Sequence, residues 1–309
     1  FGKSSTLRLL LLLAGERPSI RSDARYDADR LRETERIFRD DEFERSVIRA
    51  FQIADELGFH NGALTGKAAV MPIVQYLYEY TDADPDSESI GRWLASVTLN
   101  GVFGDVTTRR VLEIARSHVR ASGEEGFPAR EILLDLEAKG ADVVLNESVI
   151  EQLVEEIDYG TTTRRNVLLS QLYVDRRAGT TGYEVDHIFP RNHLTDESVL
   201  RDHGVEPGRI EPIRERRNHL GNLQLLAADE NKRKSDISPG VWVDSFENGG
   251  PEGSADHGAY FETHHIPGRE SLEYEQFERF LDERTELLTE LLVERLPRFD
   301  PHRDETAPA

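Results

Sequence analysis

One short strand-like run in a chain that otherwise reads as helix constrains this sequence most. Tyr183-Glu184-Val185-Asp186-His187-Ile188-Phe189-Pro190 has the composition of a strand and is stopped by proline, which has no N–H to give to a ladder. A turn at Gly179 to Gly182 precedes it. Residues 191 to 217 are polar, charged and proline-containing, and read as a long loop. Leu220 to Leu226 (LGNLQLL) reads as a second strand, and Asp229 is placed to cap a helix beginning Glu230-Asn231-Lys232. The order is strand, long connection, strand, helix.

Upstream, residues 1 to about 158 carry helical periodicity throughout. Phe43, Val47, Phe51 and Ala54 recur at helical spacing, and Gly58 is placed to end that helix. Ala68 to Tyr80, Ile90 to Val102, Arg109 to Val119 and Arg130 to Leu136 are further apolar or amphipathic stretches, with Pro72 near the start of the first. Ser148-x-x-Glu151 has capping-box form and opens a helix ending near Asp158. Arg164 to Arg177 reads as one more helix, and Leu272 to Leu296 as a long amphipathic one. No internal repeat of fixed period occurs. The expected fold is mainly α: a helical domain over 1–160, a small α+β domain with flanking helices over 161–296, and a disordered tail over 297–309.

Charge and composition narrow the setting. The formal net charge of −21 argues against a surface that attracts nucleic acid everywhere. Five of the 38 basic residues are lysine, and a dense carboxylate surface with few lysines reads as halophilic, because molar salt screens its self-repulsion. With no cysteine, disulfides, thiolate zinc sites and cysteine nucleophiles are excluded. No apolar run approaches the ~20 residues of a membrane span, and Leu9 to Ala14 reads as a buried helix, not a signal peptide. A cytoplasmic protein is expected. The chain starts at Phe1 and not at Met, as a fragment or a processed product would.

Asp186, His187, Asn222 and Asn231 are the residues with chemistry to offer. Hydrolysing a phosphodiester needs a water activated on one side of phosphorus and charge stabilised on the leaving oxygen at the other. A neutral imidazole accepts the water proton near pH 7. A carboxylate with an amide oxygen suits a hard ion, Mg²⁺ or Mn²⁺, that keeps several waters. Neighbouring residues on a strand point to opposite faces, so Asp186 and His187 share a site only if the strand ends or twists there.

VDHIFP, GNLQLL and NKRKSD in that order resemble an HNH nuclease of the His-Me finger (ββα-metal) superfamily, over roughly residues 180 to 240. The resemblance implies a DNA endonuclease in which His187 is the general base and Asp186 and Asn231 are metal ligands. Asn222 would brace the loop and orient the base, and Lys234 would touch a phosphate with Lys232 and Arg233 beside it. HIFP followed by GNL-x-LL, behind the Pro-Ile-x-x-Tyr-Leu-Tyr stretch at Pro72 to Tyr78, is also similar to the GmrSD family of modification-dependent restriction proteins. That wider resemblance implies a defence role against foreign or modified DNA. It also implies an upstream nucleotide-binding domain, whose DGQQR-type motif does not occur in this sequence.

Local charge agrees with a DNA substrate: His187 to Gly240 holds nine basic and nine acidic residues, neutral inside a chain of −21. Other motifs carry less. Phe1-Gly2-Lys3-Ser4 resembles the end of a phosphate-binding loop, but reads more simply as a loop with a helix cap. His193, His203 and His219 lack zinc-site spacing, His264 and His265 read as surface residues beside a loop, and Trp93 and Trp242 read as core. The Leu272 to Leu296 helix is expected to pack on the nuclease core, a homodimer contact being its minor reading. The rival functions are a catalytically silent nucleic-acid-binding module and a helical protein-interaction module.

Overall fold

The computed structural model describes residues 2–19, 28–60, 62–64, 67–83, 85–104, 107–173, 175–178, 180, 182–247 and 257–303. Parts of the expected 179–182 turn, most of the glycine-rich 249–258 stretch and the end of the tail lie outside them. The chain is mainly α with a small α+β region in its second half. It divides into two compact units, Phe1–Glu147 with Leu296–Ala309, and Ser148–Arg295.

The first unit contains α1 (Lys3–Leu13), α2 (Ala28–Phe38), α3 (Asp41–Glu56), α4 (Met71–Glu79), α5 (Ser87–Leu99), α6 (Thr108–Ser122) and α7 (Ala129–Ala138). Asp40 caps α3, its carboxylate accepting the Glu42 N–H at 3.0 Å. Gly58 follows that helix at φ +86°, a conformation that costs glycine nothing. Leu9 to Leu13 are all buried, which is why this apolar run needs no membrane. Trp93 is fully buried and its indole N–H donates to the Ala69 carbonyl at 2.7 Å, satisfying the one polar atom it brings inside. The described part of the expected tail, residues 297–303, is anchored at one point. Phe299 is 1% exposed and pairs its backbone with Leu145 in both directions (2.8 and 3.0 Å), so a buried aromatic anchors a segment whose polar composition suggested disorder.

The second unit begins within α8 (Glu147–Glu156) and continues through α9 (Thr162–Leu172) to β1 (Tyr183–His187). α8 starts one residue ahead of Ser148, so the serine lies in the first turn and does not cap it. β1 pairs antiparallel with β2 (Leu223–Ala227), Tyr183 opposite Ala227 and His187 opposite Leu223. The expected second strand starts three residues late, because Leu220–Asn222 form a 3₁₀ turn leading into it. α13 (Ala228–Lys234) follows β2 without a loop, so Asp229 sits in its first turn and is not its cap. This completes a ββα unit.

Residues 191 to 217, expected as a long loop, hold three short helices: α10 (Arg191–Thr195), α11 (Glu197–Asp202) and α12 (Ile210–Arg216). Asp196 caps α11 through the Ser198 N–H at 2.9 Å. Leu194, Leu200, Ile210 and Ile213 point inward from these helices to a core shared with Phe189 and Phe280. Single apolar residues, widely spaced among charges, do this, and no window long enough to show periodicity exists. α14 (Pro239–Glu247) and α15 (His257–His264) follow, and α16 (Phe277–Arg295) closes the unit after two 3₁₀ turns at Arg269–Leu272 and Tyr274–Gln276. Trp242 is 3% exposed, in the core as expected.

Candidate active site

β1 ends at His187, and this lets two neighbouring side chains reach one site. Asp186 and His187 line a cavity of about 520 Å³ together with Pro190, Arg191, Asn192, Thr195 and Ser235. Glu184 and Asp186, two residues apart, share a face of β1, and α13 lies along that face. Its Asn231 amide N–H donates to Glu184 Oε2 at 2.6 Å, and its Lys234, three residues on, meets Asp186.

Asp186 is held at one oxygen. Its Oδ2 accepts from the Gln224 side chain at 2.9 Å and pairs with Lys234 Nζ at 2.9 Å. Gln224 is fully buried on β2 directly opposite Asp186, and its own oxygen accepts the Tyr260 hydroxyl at 2.8 Å. Lys234 also donates to the His187 carbonyl at 2.8 Å. Its side chain is 1% exposed, and burial pushes the ammonium pKa down while Asp186 holds it up. The expectation that Lys234 touches a phosphate is therefore corrected. A lysine near a helix end reads as solvent-facing, but here the ββα fold turns it onto β1, where it ties the strand's last carbonyl to its carboxylate.

His187 is held by its ring. Nε2 lies 3.1 Å from Asn218 Oδ1, and the Tyr159 ring packs against the imidazole, centroids 4.9 Å apart and planes tilted by 31°. Burial lowers the His187 pKa below the ordinary 6.5, and the nearby positive charges of Lys234 and Arg191 act in the same direction. Asn218 and Asp186 oppose this with smaller effect. The surroundings therefore favour the uncharged imidazole.

Asn222 fixes the chain just beyond His187. It is fully buried; its Oδ1 accepts the Phe189 N–H at 2.9 Å, and its Nδ2 donates to the carbonyls of Phe189 at 3.2 Å and Arg217 at 2.8 Å. Every polar atom of the side chain is used on backbone. Gly221 is glycine because α16 packs on it. A Cβ there would lie 2.7 Å from Thr285 Oγ1 and 2.9 Å from Leu281 Cδ1. The fully buried Arg284 of α16 donates to the Gly221 carbonyl at 2.6 Å.

Lys232 and Arg233 are exposed on α13, Arg233 paired loosely with Asp229 at 3.5 Å, and neither lines the cavity. Among the described residues no three His, Asp or Glu side chains cluster as a metal site. Asp186 lines the cavity and Asn231 does not; the oxygens these two side chains could offer a hard divalent ion are Asp186 Oδ1 and Asn231 Oδ1. Among the described residues neither accepts a hydrogen bond, because the partners of Asp186 are on Oδ2 and Asn231 engages Glu184 through nitrogen. Two such oxygens suit Mg²⁺ or Mn²⁺, which retain water in their remaining positions.

Among the described residues, His193, His203, His219 and His264 have partners away from the cavity. His193 Nδ1 lies 2.6 Å from the Tyr274 hydroxyl, His203 stacks on the same ring at 4.5 Å, and His219 faces Glu155 at 3.6 Å. His264 was expected at the surface and is 1% exposed, its Nδ1 at 3.1 Å from the Tyr173 hydroxyl. Sequence reasoning passed over Tyr159, Glu184, Arg191, Asn218 and Gln224. Glu184 and Gln224 were within reach, the first from its alternation with Asp186 on one strand and the second from standing mid-motif in a buried strand. Tyr159 and Asn218 reach His187 through tertiary packing and leave no local signal.

No curated protein matches the chain. Residues 144–290, which contain every side chain of the site, match the family model of GmrSD restriction endonucleases, C-terminal domain, and over this stretch the chain is similar to a restriction endonuclease that acts on DNA.

Proposed function

We propose that the second unit is an HNH-type nuclease that hydrolyses DNA phosphodiesters with a divalent metal, in defence against foreign or modified DNA. One observation carries the reading: a half-buried imidazole and a carboxylate with one open oxygen line the same cavity at the end of a ββα unit. His187 takes the proton from the attacking water. Asp186 and Asn231 would hold Mg²⁺ or Mn²⁺, which supplies positive charge for the leaving 3′-oxygen. Arg191, exposed at the cavity wall, offers a guanidinium to the phosphate, a place the buried Lys234 cannot take. Lys232 and Arg233 serve as outer contacts to the backbone. One such site cuts one strand, so a double-strand break needs a second copy or a second nick. The similarity to GmrSD proteins supports a role for the first unit in target sensing or in coupling to a nucleotide-binding part.

End-labelled duplex DNA tests this directly. Cleavage should need Mg²⁺ or Mn²⁺, leave 5′-phosphate and 3′-hydroxyl ends, and be lost in Asp186→Ala and Asn231→Ala. Binding without cleavage at any metal concentration would make the unit a silent binding module.

A further inference from the structure

The ββα unit ties the backbone of His187 through Lys234, but the imidazole is contacted from elsewhere. Among the described residues, two groups against the His187 ring come from outside that unit: Tyr159 from the turn after α8, and Asn218 from the end of the segment before the Leu220–Asn222 turn. These two segments are laced together. The Tyr159 N–H donates to the Asn218 carbonyl at 2.8 Å, and the Leu220 N–H donates to the Ile157 carbonyl at 3.1 Å. Asp158 locks the turn, its Oδ1 accepting from the N–H groups of Gly160 (2.9 Å) and Thr161 (3.1 Å) and from the Thr161 hydroxyl (3.0 Å). Arg165 lies 4.8 Å from the centre of the Tyr159 ring and donates to the Tyr159 carbonyl. Asn222 ties the other segment by its bond to the Arg217 carbonyl at 2.8 Å. The laced segments hold Tyr159 and Asn218 side by side against the imidazole.

We infer that Asn218 and Tyr159 are positioning residues that clamp the His187 imidazole in the tautomer with hydrogen on Nε2, leaving the Nδ1 lone pair to accept the water proton. An amide oxygen 3.1 Å from Nε2 can only accept, so it selects the Nε2–H form. When Nδ1 takes the proton, the O–H bond of water breaks, its electron pair stays on the oxygen that attacks phosphorus, and the ring becomes cationic. The Nε2–H···Oδ1 bond is then charge-assisted, so Asn218 binds the ring more tightly as the transition state forms. The Tyr159 ring covers one side of the imidazole and stops it turning away. This inference rests on the reading of His187 as base.

The test separates the two. Nitrogen-15 spectra of histidine-labelled full chain, with the His187 signals identified by their loss in His187→Ala, report the tautomer without any cleavage. The wild type should carry hydrogen on Nε2, and Asn218→Leu should give mixed tautomers. In cleavage assays Asn218→Leu and Tyr159→Ala should each lower kcat by roughly 10–100-fold, the usual cost of removing a group that orients a functional histidine, with KM little changed. Asn218→Asp, which keeps the acceptor, and Tyr159→Phe, which keeps the ring, should stay near wild type and show that the fold tolerates both positions. Hydrogen on Nδ1 in the wild type, an unchanged tautomer in Asn218→Leu, or equal kcat in all four variants would each overturn the clamp. A wild type that shows the Nε2–H tautomer but cuts nothing would overturn the reading of His187 as base and leave the clamp as geometry.

Discussion

Replacing Lys234 with methionine keeps most of the side-chain volume and removes one buried charge. Asp186 then loses a partner at 2.9 Å, and the His187 carbonyl loses a donor at 2.8 Å. Breaking a buried ion pair from one side costs about 3–5 kcal/mol, because the other charge is left uncompensated. The Asp186 side chain is 12% exposed and keeps its bond to Gln224, which places the expected loss near the lower end, about 3 kcal/mol. The double variant Asp186→Asn/Lys234→Met carries neither charge and should recover more than half of that loss, a coupling of about 2 kcal/mol. Urea unfolding read by tryptophan fluorescence in a Trp93→Phe background isolates the second unit, since Trp242 is then the sole reporter. A loss under about 0.5 kcal/mol in the single variant, typical of surface substitutions, would refute the strut. DNA binding supplies an independent check. A buried lysine leaves the salt dependence of affinity unchanged, whereas a phosphate contact would reduce its slope by about one.

Other outcomes follow from the same geometry. The acid limb of kcat/KM against pH should lie below 6.5, because burial and nearby cations disfavour the charged imidazole of His187; a limb above 6.5 would contradict that assignment. His264 is lowered well below 6.5 by burial and His265 is lowered to about 4, so the unfolded chain binds protons that the folded chain refuses. Stability measured by urea should therefore fall as pH drops from 6.5 toward 5.5, with up to about 1.4 kcal/mol per pH unit from the fully buried His264. Gly221→Ala forces a Cβ against Thr285 and Leu281 and should cost about 1–3 kcal/mol in the same assay, with cleavage falling as Asn222 is displaced. A melting temperature that climbs steeply with KCl is expected from the −21 charge and the five lysines, and a flat one would remove the halophilic reading.

What was legible in the sequence was what depends on near neighbours. Proline after a strand-like run located the end of β1, and with it the reason Asp186 and His187 share a cavity. The GNLQLL run showed a buried strand, and Asn222 ahead of it bonds the backbone after His187. The three helices between the strands were not legible, since each is shorter than two full turns and shows too few apolar positions for a period. Lys234 misled because its charge suggested solvent, and only the packing of α13 on β1 shows that it spans Asp186 and the His187 carbonyl. Asn218 stands 31 positions from His187, and its role exists only through the lacing of two segments that share no motif.

Relaxation of supercoiled plasmid by the purified chain, with Mg²⁺ or Mn²⁺ and with EDTA, beside His187→Ala and across a KCl series reaching molar salt, tests the central claim most directly. The account predicts metal-dependent nicking that EDTA abolishes and the variant lacks. Folded wild-type protein that nicks nothing at any salt, or a variant that nicks as well as the wild type, would contradict it.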